Sequence, residues 1–356
     1  MPSSFTRKLL RVTFTLNNNN AQFPGNANGQ PANVLRLGPP ATGPALRISA
    51  TIKGAGMPAW PEAVIKVYGM NAADMNALCV QQALAGKTGY LPNSVLLEAN
   101  SGSGWSAVFA GNIYTAAPDF SQIPEVPLVI TSMSGAWDSL SPATPSSFPG
   151  STALDTVLSV IVAKTNRSYI NNGVTGVTSG PVYRPESPLE QLRAVCQAYA
   201  LDAVFSGDDT LVTVSPRGIS DKSQSFTLSP QSGLVGYPQP QGNGFLMARA
   251  QYNPAFHVKS PITISGCIVE IFGGSSAAAV GNLNASANGN WVVNSITNTL
   301  ECEAANGAWF SDMLLYPPSV TAVTSCARQR TRYSALPRAP PISTNIIRRT
   351  YRSSQR

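Results

Sequence analysis

His257 is the one histidine of the chain and stands in the stretch "NPAFHVKSP". An imidazole acting as a general base needs a carboxylate to orient it. No Asp or Glu lies near it in sequence, so His257 reads as a loop or surface residue. One histidine excludes a three-histidine zinc site, and any Ser-His-Asp triad has to use this residue. Asp208 and Asp209 are neighbouring carboxylates of the kind that metal ligation or glycoside hydrolysis uses. Adjacent residues of a hairpin point to opposite sides, however, and Gly207-Asp208-Asp209 is ordinary turn chemistry. "SGSGWSAVFAG" lacks the Gly-x-Ser-x-Gly of a nucleophile elbow. "NANGQPAN" and "GGSSAAAVGN" lack the lysine and helix start of a phosphate cradle. The five cysteines (Cys79, Cys196, Cys267, Cys302, Cys326) show no CxxC spacing and read as buried free thiols, not as a zinc site or a disulfide framework. The residues therefore predict no catalytic site, no metal and no cofactor, and the chain reads as a non-enzyme.

The charge is unevenly placed. From Ser319 to Arg356 there are eight arginines, with no lysine and no acid. Taking these eight from the 24 basic residues leaves 16 against 17 acids, so the body carries a net charge of −1. The basic segment has Pro337, Pro340 and Pro341 and no apolar period, so it cannot bury a core of its own. It reads as an extended arm that docks on a partner through Arg328, Arg330, Arg332, Arg338, Arg348, Arg349 and Arg352. The planar guanidinium suits carboxylates and phosphates alike, so the charge alone does not choose the partner. The start "MPSSFTRKLL" has no apolar h-region, and no apolar run approaches the ~18 residues of a membrane span. A soluble product of the cytoplasm, without membrane binding, is the expectation.

These residues must be carried by β-structure. With 29 Gly, 29 Pro and only 12% charged residues, the composition suits turn-rich β architecture. Val12, Phe14 and Leu16 alternate with polar neighbours; Leu46, Ile48, Ala50 and Ile52 do the same in "LRISATIK". "AVIKVYGM", "WSAVFAGNIY" and "VPLVITSM" continue the pattern. "NAADMNALCVQQAL" between them reads as a short helix with Asn71 as N-cap and Met75, Leu78 and Cys79 on its apolar side. Residues 1–145 thus read as a strand-rich barrel or sandwich with one small helix, and "SPATPSSFPG" marks its end. Residues 146–222 read as a small α+β unit. One helix has Thr152 as N-cap and a stripe of Leu154, Val157, Leu158, Ile161 and Val162. A second has Ser187 as cap, Pro188 in the first turn and Glu190 completing a capping box, and a hairpin turns at Gly207. Strands return over residues 223–318 in "GFLMARAQY", "PITISGCIVEIF", "WVVNSITNTLECEA" and "AWFSDMLLY", a second strand-rich unit; 319–356 is the arm. The fold class is mainly β, with two strand-rich units flanking a helix–hairpin unit, and the family resemblance set out next implies that both units are tube-like β-barrels.

"RKLLRVTFTL", "LRISATIKGAGMPAWPEAVIKVYGMNAADMNAL" and "WSAVFAGNIYTAAPDF" resemble the N-terminal half of the baseplate hub proteins of tailed bacteriophages. "SPLEQLRAVCQAYALDAVFSGDDTLVTVSPRG" looks like that family's small helix–hairpin domain. "GLVGYPQPQGNGFLMARAQYNPAFHVKSPITISG" is similar to its return strand, with Tyr237-Pro238, Pro240 and Asn253-Pro254 at the family's turns. "NGNWVVNSITNTLECEAANGAWFSDMLLY" is similar to its closing pair of strands. The pieces run in order from residue 7 to about 317, and the arm has no counterpart. The resemblance implies a homotrimer whose six barrels mimic one sixfold layer of the tail tube while the ring keeps the threefold symmetry of the spike. It implies tube protein, spike protein and other baseplate proteins as partners, and DNA in transit through a central channel. The place would be the tail baseplate of a virion, made in the host cytoplasm. A fixed cationic lining would retard DNA, which favours protein as the arm's partner. The rivals are a cell-wall hydrolase, a carbohydrate- or receptor-binding β-module, and another tube or spike protein. A sugar-binding module needs exposed aromatic platforms, yet Trp60, Trp105, Trp291 and Trp309 sit in or beside apolar strands, leaving Trp137 as the one candidate.

Overall fold

The computed structural model describes residues 7–17, 22–24, 32–39, 46–57, 59–79, 92–102, 104–141, 143–222, 225–241, 244–267 and 287–318. The arm and its seven candidate arginines lie outside the described residues, as do Cys326 and the whole "GGSSAAAVGN" loop.

The first region supplies β1 (Leu9–Thr15), β2 (Val34–Leu37), β3 (Ile48–Ala55), β4 (Glu62–Tyr68), α1 (Ala72–Leu78), β5 (Ser94–Asn100), β6 (Trp105–Pro118) and β7 (Pro127–Met133). The middle supplies α2 (Ala136–Leu140), β8 (Ser146–Phe148), α3 (Leu154–Ala163), β9 (Ser168–Asn171), β10 (Val182–Arg184), α4 (Pro188–Ala198), β11 (Leu201–Phe205) and β12 (Leu211–Pro216). The last region adds β13 (Phe226–Leu228), β14 (Leu234–Pro240), β15 (Leu246–Gln251), β16 (Pro261–Ile264), β17 (Gly289–Cys302) and β18 (Trp309–Tyr316). The protein is mainly β, as its alternating pattern predicts.

One large sheet runs β14-β15-β18-β17-β3-β4-β7-β6-β5-β1-β2, with β16 and β13 attached beside β17. β17 is its spine. Residues Gly289–Val292 pair with β16, whereas Ser295–Cys302 pair with β3, some 240 residues earlier. The register against β18 shifts between Val293 and Ser295, a bulge at the point where the neighbour changes. The sheet beyond β3 curls until β1 meets β17 and β18 again: Arg7 pairs with Glu303, and the Lys8 ammonium lies 5.9 Å from the centre of the Trp309 ring. Curling encloses Leu10, Phe14, Ile65, Leu97, Phe109 and Ile130 with Leu300 and Trp309 in one core. Each such side chain contributes roughly 1.5–3 kcal/mol through burial. A second core packs α3 and α4 on the β11-β12-β9 sheet, with all five stripe residues of α3 buried. A third fills the last region with Leu246, Ile262, Trp291, Val293, Met313 and Leu315.

Several local expectations change. Asn71 caps α1 as the sequence predicts, its Oδ1 accepting from Asp74 N at 2.8 Å. Thr152 does not cap α3; its hydroxyl donates to Pro149 O at 2.7 Å, Asp155 accepts from Asn171, and the helix starts one residue later. Ser187 holds the N-cap position of α4, but its hydroxyl makes no cap bond, and Glu190 pairs with Arg193 at 3.5 Å instead of closing a box. Cys79 is exposed where a buried thiol was expected, because α1 ends just before it; Cys196, Cys267 and Cys302 are buried. In "PITISGCIVEIF" the described strand is Pro261–Ile264, and residues 268–272 lie outside the described residues.

Candidate functional site: the joint between the barrels

The β11–β12 hairpin is wedged where the two strand-rich regions meet the α+β unit. Met57 N, just past β3, donates to Ala203 O at 3.0 Å, and Trp60 meets Phe205 edge-on at 5.8 Å between ring centres. At the hairpin tip, a Cβ on Gly207 would stand 3.1 Å from the carbonyl oxygens of Ala107 and Val108, so glycine permits this close approach to β6. Val108 is the residue bulged out of the β5–β6 ladder. Beneath the hairpin is a cavity of about 310 Å³ lined by Phe109, Val204, Tyr252, Phe256, His257 and Asn298 among others.

Two ion clusters bolt the wedge in place. Arg167, 7% exposed, grips Asp209 with two bonds of 3.0 and 2.7 Å. Its other amino group pairs with Asp138 of α2, and Ser134, at the end of β7, donates to Asp209. Two carboxylates share one buried guanidinium, and burial holds the Asp138 carboxyl above its ordinary range despite Arg167. On the other side Lys259, also 7% exposed, donates to Asp202 of β11 at 2.5 Å and to the Tyr316 hydroxyl of β18 at 3.2 Å. Lys259 has a φ of +74°, a strained conformation for a lysine. Its N–H donates to Val293 O at 2.8 Å and its carbonyl accepts from Asp221 N at 3.0 Å. The Arg167 cluster thus ties the hairpin to the end of β7 and to α2, and the Lys259 cluster ties it to β18.

His257 has an orienting carboxylate after all. Asp221, 36 residues upstream, meets Nε2, while Nδ1 lies 3.0 Å from Ala255 O. Both ring nitrogens face acceptors, and only the doubly protonated imidazolium satisfies both. Burial works against that charge, but the hydrogen bond and charge of Asp221 outweigh it and raise the pKa. Asp208 points away from Asp209: its Oδ1 accepts from the Ser206 hydroxyl at 2.5 Å and from Thr210 N at 3.3 Å. The structure therefore separates the two carboxylates. Among the described residues no group of three His, Cys, Asp or Glu could hold a metal ion, and no helix is long and apolar enough to cross a membrane. Burial pushes the Cys196 thiol up to about 12, assisted by the charge of Asp202.

A second arrangement recurs on the outer side of the sheet: a carboxylate holding a guanidinium over an aromatic ring. Arg11 sits 4.3 Å over Trp105 and bonds Glu98 at 2.7 Å. Arg47 lies 4.6 Å from the centre of Tyr68 and bonds Glu301 at 2.9 Å; Arg249 lies 5.8 Å from Phe310 and bonds Asp312 at 2.7 Å. Trp291 and Trp309 are buried, and Trp60 packs on the middle core.

Arg167, Asp202 and Lys259 carry no signal as separate residues. The one hint is an acid inside the apolar strand "LDAVF", a position that requires a partner.

No protein-family model and no curated protein matches the sequence. Solved structures do match in fold. A 43 kDa tail protein of prophage MuSo2 from Shewanella oneidensis aligns with a TM-score of 0.54 at 7% identity, over 88% of this chain and 97% of that one. A tail protein from Neisseria meningitidis MC58 aligns with a TM-score of 0.53 at 8% identity, over 87% of this chain and 96% of that one. The E. coli c3393 protein is a type VI secretion component described as structurally similar to the T4 tail proteins gp27 and gp5. It aligns with a TM-score of 0.50 at 7% identity, over 79% of this chain and 76% of that one. At such identities the likeness is one of fold.

Proposed function

We propose that the chain is a structural subunit of a phage-type tail, and within it the baseplate hub: a homotrimer that joins a sixfold tube to a threefold spike around the DNA-ejection channel. The observation that carries the reading is the construction of the joint. β17 belongs to both barrels, and the hairpin is fixed to one barrel by Arg167 and to the other by Lys259. An adaptor that transmits load needs two β units held at a constant angle, and buried ion pairs over a shared strand supply that stiffness. The fold likeness to tail proteins, spanning most of the chain, supports the same reading.

The role is mechanical and non-catalytic. His257 has no free ring nitrogen to take a proton, and Asp208 and Asp209 are both engaged in turn and clamp bonds. The subunit acts in the virion tail without membrane binding, among tube, spike and other baseplate proteins, and needs no cofactor. The arm of residues 319–356 docks on one of these neighbours, so its deletion leaves the ring folded but weakens attachment.

Purified protein is expected to form a closed trimer in light scattering, and a particle map is expected to place it as a threefold ring between tube and spike. A stable, soluble monomer across micromolar concentrations contradicts the proposal.

A further inference from the structure

The cavity beneath the β11–β12 hairpin has walls mostly of carbon, among them Ile52, Phe109, Val204, Tyr252, Phe256 and Ile296. Three polar residues that line it are more than nine-tenths buried: Asn172 (6% exposed), Ser215 (2%) and Asn298 (7%). Each has a polar atom to spare. Asn172 donates through Nδ2 to Ser220 O at 3.2 Å and keeps Oδ1 free. Asn298 accepts through Oδ1 from the Ser311 hydroxyl at 2.7 Å and keeps Nδ2 free. The Ser215 hydroxyl bonds no described residue, and neither does that of Thr213, two positions earlier on the same face of β12. None of these four atoms is sealed inside protein, so they open on the cavity.

The charged groups of the same walls are already matched, Lys259 by Asp202 and His257 by Asp221. What remains unmet is neutral: an amide donor, an amide acceptor and two hydroxyls. Buried polar atoms need partners, and cavities that stay empty are lined by carbon alone. Something polar therefore fills this one. Water alone fits poorly. At ~30 Å³ each, about ten waters fill 310 Å³, and a buried water makes about three hydrogen bonds. Four protein atoms on walls of carbon cannot anchor that many.

We propose that this cavity is a binding site for a small neutral sugar, one ring in size. Its 310 Å³ stands at the lower end of the ~300–1,000 Å³ of small-molecule sites, which are likewise mostly apolar with a few convergent polar groups. A sugar ring turns its C–H surface to Phe109, Tyr252 and Phe256 and its hydroxyls to the four free atoms. Each hydroxyl both donates and accepts, so it can meet Asn172 Oδ1 as well as Asn298 Nδ2. An acidic or amino sugar would bring a charge that finds no free partner on these walls. The site goes beyond the mechanical role above and does not depend on it.

The full-length protein is titrated calorimetrically with glucose, galactose and N-acetylglucosamine, and with glucuronate and glucosamine as charged counterparts. At least one neutral sugar is expected to bind with a Kd of about 1 mM or tighter. Its charged counterparts should bind at least about tenfold more weakly. Thr213→Val/Ser215→Ala removes two hydroxyls that bond nothing in the protein, so the melting temperature should hold while affinity for the sugar falls about tenfold. A disaccharide ending in the same sugar identifies the source: its binding supports the end of a glycan, and its exclusion supports a free monosaccharide. The inference is overturned if no neutral sugar binds at millimolar concentration, or if crystals soaked in these sugars show waters only. Equal binding by wild type and a folded double variant also overturns it, because the sugar then sits elsewhere. Should the double variant fail to fold, charged sugars that bind wild type as tightly as neutral ones overturn it. None of these outcomes bears on the hub reading, which the trimer and the particle map decide.

Discussion

Replacing Lys259 by Met tests the joint at its most buried charge. The Lys259 side chain is 7% exposed and Asp202 13%, with 2.5 Å between them. At an effective dielectric of about 20, unit charges at that spacing attract by ~6–7 kcal/mol. Desolvation of both groups offsets most of this, so the cost of the substitution comes from leaving Asp202 buried without its partner. Arg217 stays 3.4 Å from Asp202, but it is 61% exposed and well solvated, which places the loss at the lower end of the ~3–5 kcal/mol typical of a broken buried pair. Met keeps the stem's packing and the same backbone conformation, so φ strain is unchanged between the two proteins. We expect the unfolding free energy in urea to fall by ~3 kcal/mol, and amide exchange to quicken first in β11 and the 252–260 loop. Lys259→Met/Asp202→Asn should regain at least about half of the loss, since the second change removes the orphaned charge. A single variant within ~0.5 kcal/mol of wild type, or a double variant no more stable than the single, refutes the view that this pair fixes the second barrel.

Arg167→Lys should lower stability by ~2–3 kcal/mol in the same assay, because a lysine cannot reproduce the two-bond grip on Asp209 while also reaching Asp138. Gly207→Ala should cost ~1–2 kcal/mol through contact with the Ala107 and Val108 carbonyls; an unchanged midpoint would show that the hairpin tip is loosely held. The His257–Asp221 pair has a raised imidazole pKa, so its contribution is complete below the unfolded value of ~6.5 and fades as pH rises through the higher folded value. With the imidazole about half exposed, the effect should be only ~0.5 kcal/mol, and His257→Gln should flatten the wild-type decline as pH rises above the unfolded value. A thiol reagent at pH 8 should modify exposed Cys79 in the native protein and spare Cys196, whose pKa of about 12 and burial keep it a neutral thiol. Fast native labelling of Cys196 would contradict its place in the middle core.

Much of the fold was legible because burial imprints a local period. Ile48, Ala50 and Ile52 alternate with exposed neighbours on one strand, and Leu154, Val157, Leu158, Ile161 and Val162 recur at helical spacing, so strand, helix and inward face can be read from a few consecutive residues. Turn chemistry was local too, and the Gly207-Asp208-Asp209 hairpin formed where its residues specify. Caps were less legible: the Thr152 hydroxyl bonds Pro149 O and the helix starts later, while Ser187 takes the N-cap position without a cap bond. The joint was not legible at all. Pairing of β17 with β3, Lys259 with Asp202, Arg167 with Asp209 and His257 with Asp221 links residues 36 to about 240 positions apart. No short-range pattern records such a partner, because a charge or a strand edge says only that it must be satisfied, and chain folding alone decides by whom. Local periodicity was enough to specify the strand-rich regions and their inward faces. The tertiary structure decided that they share one strand and are locked by buried charges, because only packing brings those distant groups out of water together.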